Sequence, residues 1–305
     1  MIEGIDISFW DVMVRSNDGK SLVYVADFEK TRKQANIRFL YWKATQGSNI
    51  ALYKGAFTDP AYERIEQDTR NWVPRGCFHF FAGDVDGKNQ IMRYLDVVSN
   101  AKLNLPDMID VEYNGNATYK QTALQLEKGI RTIHDQTRRF PLIYTADWFW
   151  RWMPVVDGAD QCELAVANYT TGPTPFLPRN GPWKAARLWQ WIVTKNVDGL
   201  IGGVDQDRFI GTEADFQRFI ISWSPPPSTE FPKKAMCIIN SLWVRDMPGG
   251  NGIGGLRYGD VVNVYKLFVD SNVMTWARIS PDGSAEKWCA MKITRPSAMD
   301  YMRFI

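Results

Sequence analysis

The chain has 305 residues, 45% of them apolar and 23% charged, with a formal net charge of +2; this is the composition of a soluble globular protein with room for two domains. No stretch approaches the about 18 consecutive apolar residues of a membrane span, and no basic helix or interleaved aromatic-basic motif argues for nucleic acid. The four cysteines, Cys77, Cys162, Cys237 and Cys289, lack C-x-x-C spacing, which excludes a zinc knuckle or a dithiol redox motif and leaves buried free thiols as the default.

From the N-terminus, Met1 to Asp6 shows no basic segment followed by an apolar core, so no signal peptide is expected in the chain as given. Short β-like runs then alternate with helical stretches. The runs cover residues 4–10, 38–45, 76–82, 108–113, 141–146, 164–169, 187–192 and 204–209. Several are apolar on both faces, as in Phe39-Leu40-Tyr41-Trp42 and Leu142-Ile143-Tyr144, the pattern of strands buried beneath helices. Residues 60–72, 88–101, 119–137 and 213–223 read as amphipathic helices. Eight strands in this alternation predict an α/β fold, an irregular (β/α)8-type barrel whose second half is poorer in helices. An open doubly wound sheet is the alternative, but no glycine-rich G-x-G-x-x-G follows any strand.

Residues 224–232, with Pro225, Pro226 and Pro227 in succession, form a stiff linker that belongs to neither a helix interior nor a central strand. It separates a first domain, residues 1–223, from a tail, residues 233–305. The tail carries ten Lys/Arg against six Asp/Glu, a mildly basic balance that suits an anionic polymer surface and equally suits nothing in particular. Its short runs, with Asp282-Gly283 as a tight-turn signal, predict a small all-β barrel. Cys237 and Cys289 both fall here and would be able to pair outside the cell.

Chemistry concentrates in Met108-Ile109-Asp110-Val111-Glu112-Tyr113. On a strand, side chains alternate, so Asp110 and Glu112 face the same way with Cα atoms about 6.7 Å apart. This is a candidate acid/base pair; a strand end meeting solvent is the plainer alternative. In a barrel, catalytic groups come from the C-terminal ends of several strands. Other runs do carry polar residues: Asp6 and Ser8, Lys43, His79, Tyr144, Asn168 and Tyr169, Trp189-Gln190-Trp191, and Asp205 with Asp207. Thirteen Trp residues tilt the reading towards sugar-binding platforms. The two histidines, His79 and His134, lack metal-ligand spacing, so neither a metal nor another cofactor is expected.

Taken in order, Gly4-Ile5-Asp6-Ile7-Ser8, Lys43-Ala44-Thr45-Gln46-Gly47, Gly76-Cys77-Phe78-His79-Phe80, Asp110-Val111-Glu112, Ile143-Tyr144-Thr145, Ala167-Asn168-Tyr169, Leu188-Trp189-Gln190-Trp191 and Val204-Asp205 with Phe209 resemble the family 25 glycoside hydrolases, the Chalaropsis-type lysozymes. The tail resembles a bacterial SH3-type domain through Leu242-x-Val244-Arg245-x-x-Pro248-Gly249, Gly255-x-x-x-Gly259-Asp260 and Trp276-Ala277-Arg278-Ile279. Two departures stand out. Gln46 replaces the more usual Glu after Lys-Ala-Thr, and Trp191 the more usual Tyr after Trp-Gln.

The first resemblance implies hydrolysis of the β-1,4 bond between N-acetylmuramic acid and N-acetylglucosamine in peptidoglycan, with Asp6, Asp110, Glu112 and Asp205 as the carboxylates. Asp207 falls outside the family spacing and is left out. Glu112 is the expected general acid, Asp110 with Asp205 the groups that orient the substrate's acetamido, and Asp6 the anchor of the cluster. Expected substrate contacts are Lys43, His79, Phe80, Tyr144, Trp148, Asn168, Tyr169, Trp189 and Gln190. A core role stays open for His79, and packing for Tyr144, Tyr169, Trp148 and Trp189. The tail is expected to bind the cell wall, the protein to be a monomer, and its partners to be glycan strands rather than nucleic acid or membrane. The lack of a signal peptide fits a phage or prophage endolysin held in the cytoplasm until holin-mediated release, and also a mature exoenzyme acting at the wall. The rival of a different class is a non-catalytic wall-binding or phage structural protein on the same barrel.

Overall fold

A computed structural model describes residues 2–34, 36–47, 57–194, 197–223, 233–269, 274–281, 284–293 and 299–304. The proline-rich stretch and the Asp282-Gly283 turn signal lie outside the described residues. The chain separates into two units, Met1–Ser224 and Pro225–Ile305.

Eight strands of the first unit close on themselves: β1 (Ile2–Ile7), β2 (Ile37–Gln46), β3 (Arg75–Phe80), β4 (Met108–Asp110), β5 (Leu142–Ala146), β6 (Glu163–Ala167), β7 (Leu188–Thr194) and β8 (Val204–Phe209). Their order is β1-β8-β7-β6-β5-β4-β3-β2, with β1–β2 pairing completing the ring. From β1 through β2 to β7 every pairing is parallel. β8 runs antiparallel to both of its neighbours. The irregularity expected in the second half of the (β/α)8-type barrel is a reversed strand: the barrel is mixed, and among the described residues no helix lies between β7 and β8. The N-terminal end of β8 therefore lies at the same rim as the C-terminal ends of the other seven.

Alternation sorts the side chains into two layers. Ile2, Phe39, Tyr41, Phe78, Met108, Leu142, Ala165, Leu188 and Phe209 fill the barrel interior. Ile5, Ile7, Leu40, Trp42 and Cys77 pack outside against one set of covering elements, and Ile109, Val111 and Ile143 against another. The covering helices are α1 (Tyr62–Thr69), α2 (Gly87–Val98), α3 (Tyr119–Thr137) and α4 (Glu213–Trp223). α3 shows how local chemistry sets the bounds. Thr118 and Gln121 form a reciprocal capping box, Arg138 ends the helix at φ 60°, and Ala123, Leu126, Ile130 and Ile133 make the buried stripe.

Among the described residues of the second unit every strand pairing is antiparallel. Lys233–Cys237 lies between Val261–Val264 and Met302–Phe304, and Leu242–Arg245 between Gly252–Leu256 and Trp288–Ile293. Met274–Arg278 joins Trp288–Ile293 to Lys266–Val269. Leu242, Val244, Trp276, Trp288 and Met302 form its core. Cys237 and Cys289 are both buried in that core as free thiols, as are Cys77 and Cys162 in the barrel unit, so the pairing considered for the tail is not present.

Gly4 faces the interior, where a Cβ would meet the Phe39 ring at 2.5 Å. Because Phe39 is fully buried, the ring has no free space to enter. Gly4→Ala is expected to lower unfolding free energy by about 1–3 kcal/mol, read from denaturant titration. Wild-type stability in that variant would show that the ring can move aside.

Candidate active site

The polar residues of the barrel gather at the rim where β1–β7 end and β8 begins. Register explains how. Asp6 on β1 stands opposite Asp205 on β8, and Gly4 opposite Asp207. On the other side of β8, Asp207 is matched by Gln190 of β7. β3 and β4 align Phe80 with Asp110, and β4 and β5 align Asp110 with Tyr144. The β4 ladder ends at Asp110 rather than at Tyr113. The chain stays extended enough for Val111 N to donate to the Tyr144 carbonyl at 2.8 Å, with Val111 buried in the outer layer, so Glu112 returns to the inner face beside Asp110.

β2 contributes a cation through an irregularity. Lys43 pairs with Phe78, but Thr45 pairs with His79, which leaves Ala44 as an extra residue. The bulge lets Lys43 and Gln46 both face inward, and Lys43 Nζ donates to Gln46 Oε1 at 2.7 Å. The ammonium also lies 4.6 Å from the centroid of the Phe80 ring. The Gln that departs from the family pattern is thus the buried lysine's direct partner.

At the centre is Gln190, buried at 3% exposure. Its Nε2 donates to Asp6 Oδ2 at 2.9 Å, while its Oε1 accepts from Tyr144 Oη at 2.9 Å and Tyr169 Oη at 2.8 Å. The Tyr169 oxygen also lies 3.4 Å from Asp205 Oδ1. Asp6 and Asp207 share a hydrogen bond. Asp110 Oδ1 is buried with no hydrogen-bond partner, and Glu112 makes no hydrogen bond among the described residues.

Concentrated carboxyls in a poorly hydrated site resist ionisation. Burial pushes Asp6 up to about 6, opposed by the Gln190 hydrogen bond. Burial and the Asp6 charge push Asp205 up to about 7. Asp110 is driven well above the carboxylate range by burial and then by Glu112, with Lys43 opposing. Glu112 is raised by burial and by Asp205, again opposed by Lys43. Lys43 itself is lowered by burial despite the attraction of Asp110, Asp59 and Glu112. Just behind the rim, Asp59 accepts from the backbone N–H groups of Phe9 and Ala61, and Asp11 caps the turn that begins at Ser8. Among the described residues no group of three His, Cys, Asp or Glu side chains is placed to hold a metal ion.

The rim brings together Asp6, Asp110, Glu112, Asp205, Lys43, Phe80, Tyr144, Tyr169 and Gln190. Trp148, exposed on the Asp147–Trp150 turn that directly follows β5, stands at the same end. Asn168 takes a supporting place: its Oδ1 accepts from Phe176 N at 3.0 Å and holds the loop after β6. Two expected substrate contacts face away. His79 is on the outer side of β3, 2.7 Å from Thr45 Oγ1 and 2.9 Å from Gln90 Oε1 of α2, and burial lowers its pKa to about 4. Trp189 packs outside with Leu164 and Val166. There Trp189 and Trp191 flank the Arg208 guanidinium at 5.4 and 3.4 Å from their centroids. Asp207 belongs to the inner group although family spacing omits it, and its i+2 relation to Asp205 on one strand is the signal that places it there.

Residues 5–200 match the family described as Glycosyl hydrolases family 25, and the chain belongs to that family. It is a glycoside hydrolase. Lysozyme M1 of Streptomyces globisporus is 25% identical to it over 232 residues, covering 70% of this chain and 69% of that protein. The uncharacterized protein YegX of Escherichia coli strain K12 is 26% identical over 224 residues, covering 72% and 73%. Among solved structures, the muramidase from Acremonium alcalophilum aligns with a TM-score of 0.55 at 25% identity, over 73% of this chain and 100% of that one.

A raised carboxyl pKa in the folded state has a thermodynamic consequence. Between the unfolded value of about 3.9 and the folded value of about 7 for Asp205, the folded protein holds more protons than the unfolded chain, so stability falls as pH rises through this window. Asp205→Asn is expected to melt a few degrees above wild type at pH 8, with the gap closing towards pH 4. A variant that melts below wild type at pH 8 would contradict the combined cost of burial and the Asp6 charge on the Asp205 carboxylate.

Proposed function

We propose that the enzyme cleaves the β-1,4 bond between N-acetylmuramic acid and N-acetylglucosamine in bacterial peptidoglycan, with Glu112 as general acid. The observation that carries this reading is Glu112 itself: a half-buried carboxyl at the rim, raised by burial and by Asp205, with no hydrogen bond among the described residues. Such a group holds its proton more tightly than an ordinary glutamate and can give it to a leaving glycosidic oxygen.

As that proton transfers and the glycosidic bond breaks, the carbonyl oxygen of the substrate's own 2-acetamido group attacks C1, giving an oxazolinium-like intermediate. Water then attacks C1 as the C1–O bond of the oxazolinium ring breaks and the acetamido group is restored, the water's proton passing to the Glu112 carboxylate and regenerating the acid. Asp110 and Asp205 orient the acetamido group. The buried, unpartnered Oδ1 of Asp110 supports this role, since a buried acceptor without a donor is costly and an incoming acetamido N–H supplies one. Asp6, fixed by Gln190, anchors the cluster. Tyr144, Tyr169, Trp148 and Phe80 give aromatic surface for the sugar rings.

The second unit, residues 233–305, is assigned the role of an SH3-type wall-binding domain that raises local concentration at the polymer. No described helix is long and apolar enough to cross a membrane, and the reading places the enzyme at the cell wall as an endolysin or autolysin.

Glu112→Gln is expected to reduce turnover on purified cell walls by at least about two orders of magnitude while its melting curve stays close to wild type. Undiminished turbidity clearance would remove Glu112 from the mechanism. Deleting residues 233–305 is expected to weaken sedimentation with walls and to leave cleavage of soluble glycan fragments. Loss of soluble-substrate activity would instead make the second unit part of the catalytic fold.

A further inference from the structure

Asp207 has no part in the scheme above, yet it is buried at 5% exposure inside the barrel, one layer below Asp205. Its neighbours across the strands are Gly4 on one side and Gln190 on the other. The Phe39 ring occupies the space that a side chain at Gly4 would need, and Phe209 and Leu188 continue the apolar layer beneath. Its polar partner is the Asp6 carboxyl. The titratable groups that act on it are Asp6 on β1, Asp205 on its own strand and the Tyr41 phenol on β2.

A hydrogen bond between two carboxyl groups requires a proton on one of them. Asp6 accepts from Gln190 Nε2 at Oδ2, and the shared bond holds Asp6 down and Asp207 up, so Asp6 is the acceptor and Asp207 the donor. Gln190 in turn has no freedom to rotate its amide by half a turn. Its oxygen receives Tyr144 and Tyr169 and its nitrogen faces Asp6. A reversed amide would turn both tyrosine hydroxyls from donors into acceptors and set its oxygen against the Asp6 carboxylate.

We propose that Asp207 is a positioning residue of the reaction: it holds a proton for Asp6 and, through that hydrogen bond, fixes the Gln190 amide that aims Tyr144 and Tyr169 into the cleft. The pair then carries one negative charge rather than two, which limits the repulsion reaching Asp205 and Glu112. The role rests on the glycan-cleaving reading of the site.

The amide of Asp207→Asn can still donate to Asp6, whereas Asp207→Val keeps similar bulk and donates nothing. Kinetics on soluble peptidoglycan fragments are expected to show kcat within about threefold of wild type for Asp207→Asn, with the same pH profile. For Asp207→Val, kcat falls at least about tenfold with little change in KM. Its acidic limb moves to higher pH, because the Asp6 anion loses a donor that stabilised it. Equal damage in both variants, or an unmoved acidic limb in Asp207→Val, overturns the proposal. If Asp207→Val does not fold, the infrared difference between wild type and Asp207→Asn at neutral pH decides. A protonated-carboxyl C=O band present in wild type and missing from the variant supports the proposal, and no such band overturns it. That spectrum needs no turnover, so a wild-type enzyme inactive on the glycan would overturn the functional reading and leave the shared proton independently testable.

Discussion

Asp6 and Asp205 face each other across the seam where β8 runs backwards against β1. That antiparallel closure is the constraint on which the site depends. A parallel eighth strand would deliver its C-terminal end to the rim, which here means Phe209 and not Asp205. The reversed strand instead places Asp205 at the mouth, Asp207 one layer lower and Phe209 in the apolar interior. A single strand thereby passes from the polar rim to the barrel core in five residues, and its acids meet those of β1 and β4.

Holding several carboxyls in one poorly hydrated cleft opposes folding, and the surrounding structure offsets this in identifiable ways. Lys43 is brought inward by a bulge and attracts Asp110, Glu112 and Asp59. Gln190 supplies Asp6 with a donor and turns two tyrosine hydroxyls towards itself. Asp59 and Asp11 are held by backbone N–H groups of the turn after β1. The remaining cost appears as raised proton affinity, which is the property a general acid needs. Strain against stability and fitness for proton transfer are the same physical fact in this cleft.

Much of this was legible in the residues, and the exceptions have physical causes. α3 spans residues 119–137 as its amphipathic pattern predicts, and β8 spans residues 204–209 as expected. Strand direction was not legible, since a period of two reads alike in either direction. Nor was the inner face of β3 and β7. Both strands are apolar on two sides, so the sequence separates Phe78 and Phe80 from Cys77 and His79 without saying which pair looks inward. The same ambiguity put Trp189 among the sugar platforms, when Leu188 and Gln190 hold the inner positions. The β2 bulge is invisible in a run whose residues all suit a strand, yet it alone explains why Lys43 and Gln46, three residues apart, meet. Asp207 was set aside by family spacing although plain alternation places it with Asp205.

The central claim is that this carboxyl cluster hydrolyses peptidoglycan on the muramic acid side of the linkage. Purified peptidoglycan digested by the full-length enzyme, reduced with borohydride and analysed by mass spectrometry reports which sugar carries the new reducing end. The account predicts reduced N-acetylmuramic acid at the ends of the released fragments. New ends on N-acetylglucosamine, or walls that bind the protein without yielding any new reducing end, would contradict it.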